Sequence, residues 1–509
     1  MKRFFSFAKL ISAIALLSVS VATAYAAPTP VKPMSEHRSD YVPKIFNKMP
    51  VIKIQSDSGS SDFVTKPLSL SVKKHMLTWG EENSSPTPWY EKCTVSVIDG
   101  NGAVTVDTAA AQVKVRGNWT TSYEKKPLRI KFSEKQEMLG LNGGRKFKNW
   151  VLLAMYKDWS MLRDASALYM SKLISSDYSS DCTFVEVYIN SEYWGVYLLA
   201  EQQEAKRGRV SIAEPEKNYK KSDIGYFIEF DGYFFAEENN FWIDYLGEIK
   251  DIKGVPITAA LNRGYTIKSD ITSPSQKTFI SSYMNNLWKI CYEAAYNKKF
   301  YKFTDDYTDI MPDRKCKNSY ECISNIIDIE SLVNTYVLSE ITCDPDLYWS
   351  SFMMDIDFSN NGNKMLKFEA PWDFDSTMGN KNFCLDGKGV YAGAVSWDGD
   401  HKQKGTGNPW MFIFVKCDWF QTLVRQKWAA IHNQDVMTRT LYFIDCAQQA
   451  YSKNFIENTK RWENIGPNKD GAHELSQKAL ACKNQAEASR FLKKWISTRF
   501  SELDKIYLK

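Results

Sequence analysis

The sequence predicts an α+β protein, strand-rich in its first half and mainly helical in its second. Three observations predict it. Up to about residue 223 the apolar residues alternate at period two in short runs broken by turn residues. Beyond about Gly225 long stretches return to helical spacing. Late in the chain, Met365-Leu-Lys-Phe-Glu-Ala-Pro-Trp-Asp-Phe-Asp-Ser-Thr-Met-Gly379 reads as a strand ending in two carboxylates, Asp373 and Asp375. Two residues apart on an extended segment, they project to one side. Carboxylates so placed repel unless a cation lies between them, and a hard divalent ion is the usual solution. The bland reading is a strand-end turn using the Asx chemistry of aspartate.

The elements follow in order. Residues 1–26 form an export signal by pattern: Lys2 and Arg3, an apolar run from Leu10 to Val21, and the small-x-small site Ala24-Tyr25-Ala26. The apolar run is too short to favour a membrane anchor, and no later stretch is long and apolar enough to span a bilayer. Residues 27–47 are Pro- and charge-rich without period and read as a linker. A strand-rich unit is expected over 48–223. Its strands are Pro50 to Gln55, Leu68 to Val72, Cys93 to Val97, Val113 to Val115 and Leu128 to Phe132. Asp158 or Ser160 can cap a helix carried by Met161, Ala165, Leu168, Tyr169 and Leu173. Phe184 to Glu201 is a hairpin, marked by Asn190-Ser191 and Gly195. A helical unit is expected over 224–509, with helices Gln276 to Tyr296, Ile329 to Ile341, Trp419 to His432, Asp435 to Trp462 and Asn484 to Leu508. Two short strands, Phe352 to Ile356 and Met365 to Phe368, flank the Ser-Asn-Asn-Gly-Asn turn at 359–363.

A chain of 509 residues buries a large core. Its formal charge of +5, with lysines and acids interspersed, indicates neither a nucleic-acid footprint nor a polyanion scaffold. All ten cysteines follow the export signal, an even number that predicts disulfides, and Cys316 and Cys322 close the shortest loop. No C-x-x-C and no histidine spacing supports zinc. Aromatics at 14% supply either a Phe- and Tyr-rich core or sugar-stacking platforms for glycan contact.

Four further segments precede the Asp373-Phe-Asp375 motif. Gln112-Val-Lys-Val-Arg-Gly-Asn-Trp-Thr-Thr121 leads into Lys125-Lys-Pro-Leu-Arg-Ile-Lys-Phe132, and Trp150-Val-Leu-Leu-Ala-Met-Tyr-Lys-Asp158 into Met161-Leu-Arg-Asp164. The hairpin 184–201 is the third, and Ser339-Glu-Ile-Thr-Cys-Asp-Pro-Asp346 the fourth. In this order they resemble the spore-coat CotH family of atypical secreted protein kinases, from about Met49 to the final helices.

The resemblance implies a two-lobed, atypical protein-kinase-like fold that uses ATP with Mg²⁺ or Mn²⁺. It implies transfer of the γ-phosphoryl group to Ser or Thr of secreted or cell-surface proteins, with the protein itself secreted or at the cell surface. Phosphoryl transfer needs cations on the phosphates, carboxylates on the metal and a base for the acceptor hydroxyl. Asp346 is the expected base, with Asp344 competing for the role. Asp373 and Asp375 are the expected metal ligands, and Ser351 stands where many relatives have Asn or Ser. Around the nucleotide, Arg116 and Asn118 are the candidates at the turn after their strand. Lys131 or, as runner-up, Lys126 would neutralise phosphate, and Glu201 would contact adenine or ribose or pair with a lysine. Arg163, early in an apolar helix, reads as half of a structural ion pair. The chain has no His-Arg-Asp, no Asp-Phe-Gly and no ordinary Gly-rich loop. The alternative is a non-catalytic surface or adhesive module that keeps the fold and binds glycans. A two-carboxylate glycosidase is a minor third reading, because no acid pair is singled out for it.

Overall fold

The computed structural model describes residues 29–257, 263–382, 386–395 and 407–509. The export signal and Cys384 lie outside them. Seven strands make a closed barrel: β1 (Val51–Ser56), β2 (Glu91–Ile98), β3 (Val104–Val115), β4 (Leu128–Gln136), β5 (Phe147–Leu153), β6 (Cys182–Ile189) and β7 (Glu192–Glu201). All neighbours pair antiparallel except β1 with β6, whose parallel pairing closes the ring. The inward positions carry the apolar half of each alternation, such as Val113 and Val115, Leu128 and Ile130, Trp150 and Leu152, all buried.

Loss of the edge removes the row of unpaired amides that an open sheet would expose. The β6–β7 turn is two residues, Asn190 and Ser191, both at positive φ, the backbone that a tight hairpin twist demands. Gly195 sits past the turn rather than in it, at φ 103°, where the register shifts.

A second sheet, ordered β14-β13-β8-β10-β9, follows from β8 (Gly225–Asp231), β9 (Asn240–Phe241), β10 (Gly264–Ile267), β13 (Phe352–Asp357) and β14 (Lys367–Phe368). The hairpin β11 (Tyr301–Phe303) and β12 (Ile310–Pro312) stands apart. Strands β8 to β10 interrupt the stretch expected to be helical. Every residue of β8 and β10 is buried, so no polar face alternates with the apolar one to announce a strand.

The helices are α1 (Asp62–Thr65), α2 (Leu70–Thr78), α3 (Arg163–Ile174), α4 (Pro274–Tyr292), α5 (Ser319–Ile323), α6 (Ile329–Thr342), α7 (Pro409–Phe412), α8 (Asp418–Asn433), α9 (Val436–Trp462), α10 (Gln477–Leu480) and α11 (Gln485–Tyr507). Six of them, α3, α4, α6, α8, α9 and α11, fall where helical spacing predicts, within a few residues, and α4, α6 and α11 start at side-chain caps. Asp328 accepts from Ser331 N at 3.0 Å and Asn484 from Glu487 N at 3.0 Å, while Ser273 and Gln276 form a capping box.

One element is corrected. Leu68 to Val72, expected as a strand, opens α2: Ser69 is its N-cap and accepts from Val72 N at 3.2 Å. Five residues of apolar alternation do not distinguish a strand from a capped helix start. Residues 29–47 carry no helix or strand but lie along the molecule, with Val31, Met34, Tyr41 and Ile45 packed on the main core. Cys93, Cys182, Cys291, Cys316, Cys322, Cys417, Cys446 and Cys482 are free thiols, with the Cys316 and Cys322 side chains in hydrogen-bond contact. Among the described residues no helix is long and apolar enough to cross a membrane.

Candidate active site

A cleft of about 1600 Å³ separates the outer face of β3 and β4 from the second sheet and the segments after α6. Among the carboxylates that line it are four aspartates from the sequence motifs: Asp164 at the start of α3, Asp346, Asp373 and Asp375. Each arrives by a different local device. Asp346 lies in a single helical turn, Pro345–Tyr348, that follows α6 and is capped by Asp344, whose carboxylate accepts from Asp346 N at 2.9 Å. Capping occupies Asp344, which does not line the cleft, whereas Asp346 does.

Asp373 is not on an extended strand. Strand β14 ends at Phe368, and Asp373 adopts φ 66° before the turn that carries Asp375. The two carboxylates face one cavity because the backbone bends between them. Ser351 (φ 59°) and Met155 (φ 52°) are also left-handed beside the cleft. Non-glycine residues so strained persist only where surroundings impose them.

The turn at 374–377 is imposed by α3. Asp164 accepts from Phe374 N at 2.7 Å, and Arg163 Nε donates to Thr377 O at 3.0 Å. Arg163 pairs with Asp158, both buried, and the Asp158 carboxylate also accepts from Leu162 N at 3.0 Å and Arg163 N at 2.9 Å. Arg163 is thus the structural ion pair expected of it, and it shapes the site without lining it.

The cation at the centre is Lys157, which sequence reasoning did not single out. It lies in the turn between β5 and α3, with its ammonium 3.2 Å from Asp375 and 3.7 Å from Glu474. Glu474 is the second residue missed. It comes from the single helical turn Ala472–Glu474 and also pairs with Lys381 at 3.3 Å. It accepts from Trp119 Nε1 at 2.8 Å and from the Tyr123 hydroxyl. Lys157 was legible as a lysine beside the helix-opening Asp158, whereas Glu474 has no local motif to mark it.

Electrostatics follow from burial and crowding. Burial raises Asp373, reinforced by Asp375 and Asp346 and opposed by Lys157 and Arg116, to about 7. Asp164 is raised well above the ordinary carboxylate range, by burial and then by Asp375 and Asp373. Burial also raises Asp346, against the pull of Lys381 and Lys157. Lys157 is lowered by burial but raised well above its ordinary range on balance by Asp375, Tyr123, Glu474 and Asp346. Such a crowd of carboxylates gains from further positive charge.

The expected nucleotide residues divide. Arg116 and Asn118 line the cleft, with the Arg116 guanidinium 5.4 Å from the centre of the Trp372 ring and Asn118 Oδ1 accepting from Ser71 Oγ at 2.7 Å. Ser351 lines it too, its N–H donating to Glu229 at 2.9 Å. Lys131 lines it at an exposed rim, on the outer face of β4. Lys126 and Glu201 are directed elsewhere. The Lys126 ammonium donates to the carbonyls of Thr121 and Tyr123, closing its own turn. Glu201 is buried against Arg209 at 3.1 Å and accepts from Asp181 N at 2.9 Å. The residues after it, Gln202 and Gln203, face the cleft instead.

Among the described residues no three His, Cys, Asp or Glu side chains gather as a metal-ligand set. Magnesium commonly takes one or two protein carboxylates and completes its shell with water and substrate phosphates. Asp373 and Asp375, at the wall of one water-accessible cavity, fit that mode.

Comparison with curated proteins returns no match. The sequence profile described as CotH kinase protein matches residues 113–503, which includes β4, the Lys157 turn, Asp346, Asp373, Asp375 and Glu474, and the chain belongs to that family.

Proposed function

We propose that the protein is an exported, ATP-dependent protein kinase that phosphorylates Ser or Thr of secreted or cell-surface proteins. The observation that carries this reading is the meeting of Asp346, Asp373 and Asp375 with the Lys157–Glu474 pair in one cleft. Asp373 and Asp375 hold Mg²⁺ or Mn²⁺, which supplies charge neutralisation to the phosphates when bound. Lys157, kept cationic by its carboxylates, sits beside the transferred group, and Arg116 and Asn118 cover the phosphates from the barrel side. Asp346 accepts the proton of the acceptor hydroxyl as its oxygen bonds to the γ-phosphorus and the bond to the bridging oxygen of ADP breaks. Ser351 is the weaker candidate for a second metal contact.

The non-catalytic, glycan-binding reading draws on exposed aromatics such as Trp79, 58% exposed at the cleft mouth. Radiolabelled ATP with Mg²⁺ or Mn²⁺ separates the two. Wild type should label itself or an added protein substrate. Asp346→Asn should keep ATP·Mg²⁺ affinity while transfer falls by about 10²–10⁴-fold. Asp373→Asn should lose ATP·Mg²⁺ binding while remaining folded. A folded wild type that neither binds ATP·Mg²⁺ nor transfers label would sink the kinase reading in favour of the adhesive one.

A further inference from the structure

The outer face of the β3–β4 pair is a strip of four cations, Lys114, Arg116, Arg129 and Lys131, all lining the cleft. Lys114 and Arg129 stand directly opposite each other across the strands. Like charges so placed are destabilising by themselves. Of the other cleft cations, Lys268 lies 2.8 Å from Glu229, Lys157 3.2 Å from Asp375 and Lys381 3.3 Å from Glu474, while the buried Lys125 donates to Ala154 O, Val196 O and Asn458 Oδ1.

The strip is not matched. Among the described residues none of its four members makes an ion pair within 4.0 Å, although Glu237 acts on Lys114, and Asp373, Glu229 and Asp164 act on Arg116. Lys114 and Lys131 both stand over the Tyr90 ring, at 4.7 Å and 5.9 Å. The Arg129 side chain donates to Asn149 at 3.1 Å, and its buried Nε has no acceptor. Burial, and then the neighbouring Arg129, holds the Lys114 ammonium below its ordinary range. An anion laid along this face would relieve all of these at once.

Position says which anion. The Arg116 guanidinium stands 5.4 Å from the ring of Trp372, next to Asp373 in the chain, so it belongs to the phosphate end. At about 3.4 Å per residue, the strip runs on for roughly 14 Å from Arg116 to the exposed Lys131. The proposed transfer draws on neither Lys114 nor Arg129; Lys131, expected from the sequence to neutralise phosphate, lies at the exposed far end of the strip from Arg116. The cleft, about 1600 Å³, is also larger than the roughly 300–1,000 Å³ of a site for one small ligand. There is room for a nucleotide and a length of second substrate.

We propose that Lys114, Arg129 and Lys131 are a docking track for an acidic peptide segment, and that the acceptor hydroxyl is presented by such a segment. The acceptor role rests on the kinase reading; the affinity for an acidic peptide does not.

The test uses a fluorescein-labelled peptide of Asp and Glu around a central Ser, a counterpart with Lys in place of the acids, and ATP·Mg²⁺ titrated separately. Wild type should bind the acidic peptide, more weakly as salt rises, in preference to the lysine counterpart. The double variant Lys114→Ala/Arg129→Ala should weaken it about tenfold and raise its KM as a phosphate acceptor, with kcat and ATP·Mg²⁺ affinity unchanged. Its melting temperature should match or exceed that of wild type, because a cross-strand repulsion has been removed. No preference for the acidic peptide would overturn the inference. So would an equal loss of ATP·Mg²⁺ affinity, which would assign the strip to the nucleotide. Acidic-peptide binding that depends on the strip in a protein unable to bind ATP·Mg²⁺ would uphold the track and remove the kinase reading instead.

Discussion

Lys157 and Glu474 meet from distant parts of the chain, and Lys157 is the charge that acts most on the ionisation of Glu474. Burial alone would raise Glu474, but Lys157 and then Lys381 outweigh it and hold the carboxyl down to about 2, from an ordinary 4.5. The folded value lies below the unfolded one, so the stabilisation is complete above about pH 4.5 and is lost as pH falls toward 2. A depression of this size corresponds to roughly 3 kcal/mol. Glu474→Gln should therefore lower stability at neutral pH by a few kcal/mol and flatten the acid limb between about pH 5 and 2. Denaturant titrations at several pH values read this directly, and parallel curves for the two proteins would refute it. The sequence made half of this pair visible. Lys157 lies in a stretch that resembles the family, but strand alternation, which favours Lys131 and Lys126, ranks lysines by face and cannot rank them by depth. Glu474 was beyond reach, since nothing near it in sequence signals a partner on the far side of the cleft.

At the scale of elements, the long amphipathic helices and the β6–β7 hairpin were legible because their signals are local: spacing, caps and the Asn190-Ser191 turn. Closure of the barrel was not. It depends on β1 lying parallel to β6, a pairing that no neighbouring residues encode. The same limit applies to Gly195, which resembles a turn residue and proves to be a contact residue. At φ 103° its missing side chain leaves space for α9: a Cβ there would lie 2.5 Å from Asn458 Oδ1 and 2.8 Å from Trp462 Nε1. Asn458 accepts there from Val196 N at 3.0 Å and from the Lys125 ammonium at 2.9 Å, and Trp462 donates to Trp194 O at 2.8 Å. Gly195→Ala thus strains the backbone and pushes α9 off the barrel. We expect a loss of about 2–4 kcal/mol in equilibrium unfolding, with faster hydrogen exchange along the C-terminal half of α9. A loss below about 0.5 kcal/mol would show that α9 shifts without cost.

Across the whole molecule, the segment that carries Asp346 is anchored to the last helix rather than to its neighbours in sequence. Glu340, in the final turn of α6, and Arg499, in α11, are both fully buried and 2.6 Å apart. The guanidinium also donates to Glu340 O at 2.7 Å and to Gly389 O at 2.6 Å, while the Glu340 carboxylate accepts from Tyr391 N at 2.9 Å. One pair therefore holds three separate stretches: the entry to the Asp346 turn, the loop at 387–391, and α11. A buried pair of this kind adds little over an apolar replacement, but loss of one partner strands a charge in the core. Arg499→Met should cost about 3–5 kcal/mol in denaturant unfolding. Glu340→Gln in the same chain should recover part of that loss, because it removes the stranded charge and keeps an oxygen to accept from Tyr391. ATP·Mg²⁺ affinity of the folded double variant should stay near wild type if the pair acts only as an anchor. An Arg499→Met protein within about 1 kcal/mol of wild type would mean that water or a new donor reaches Glu340, and the anchoring role would fall.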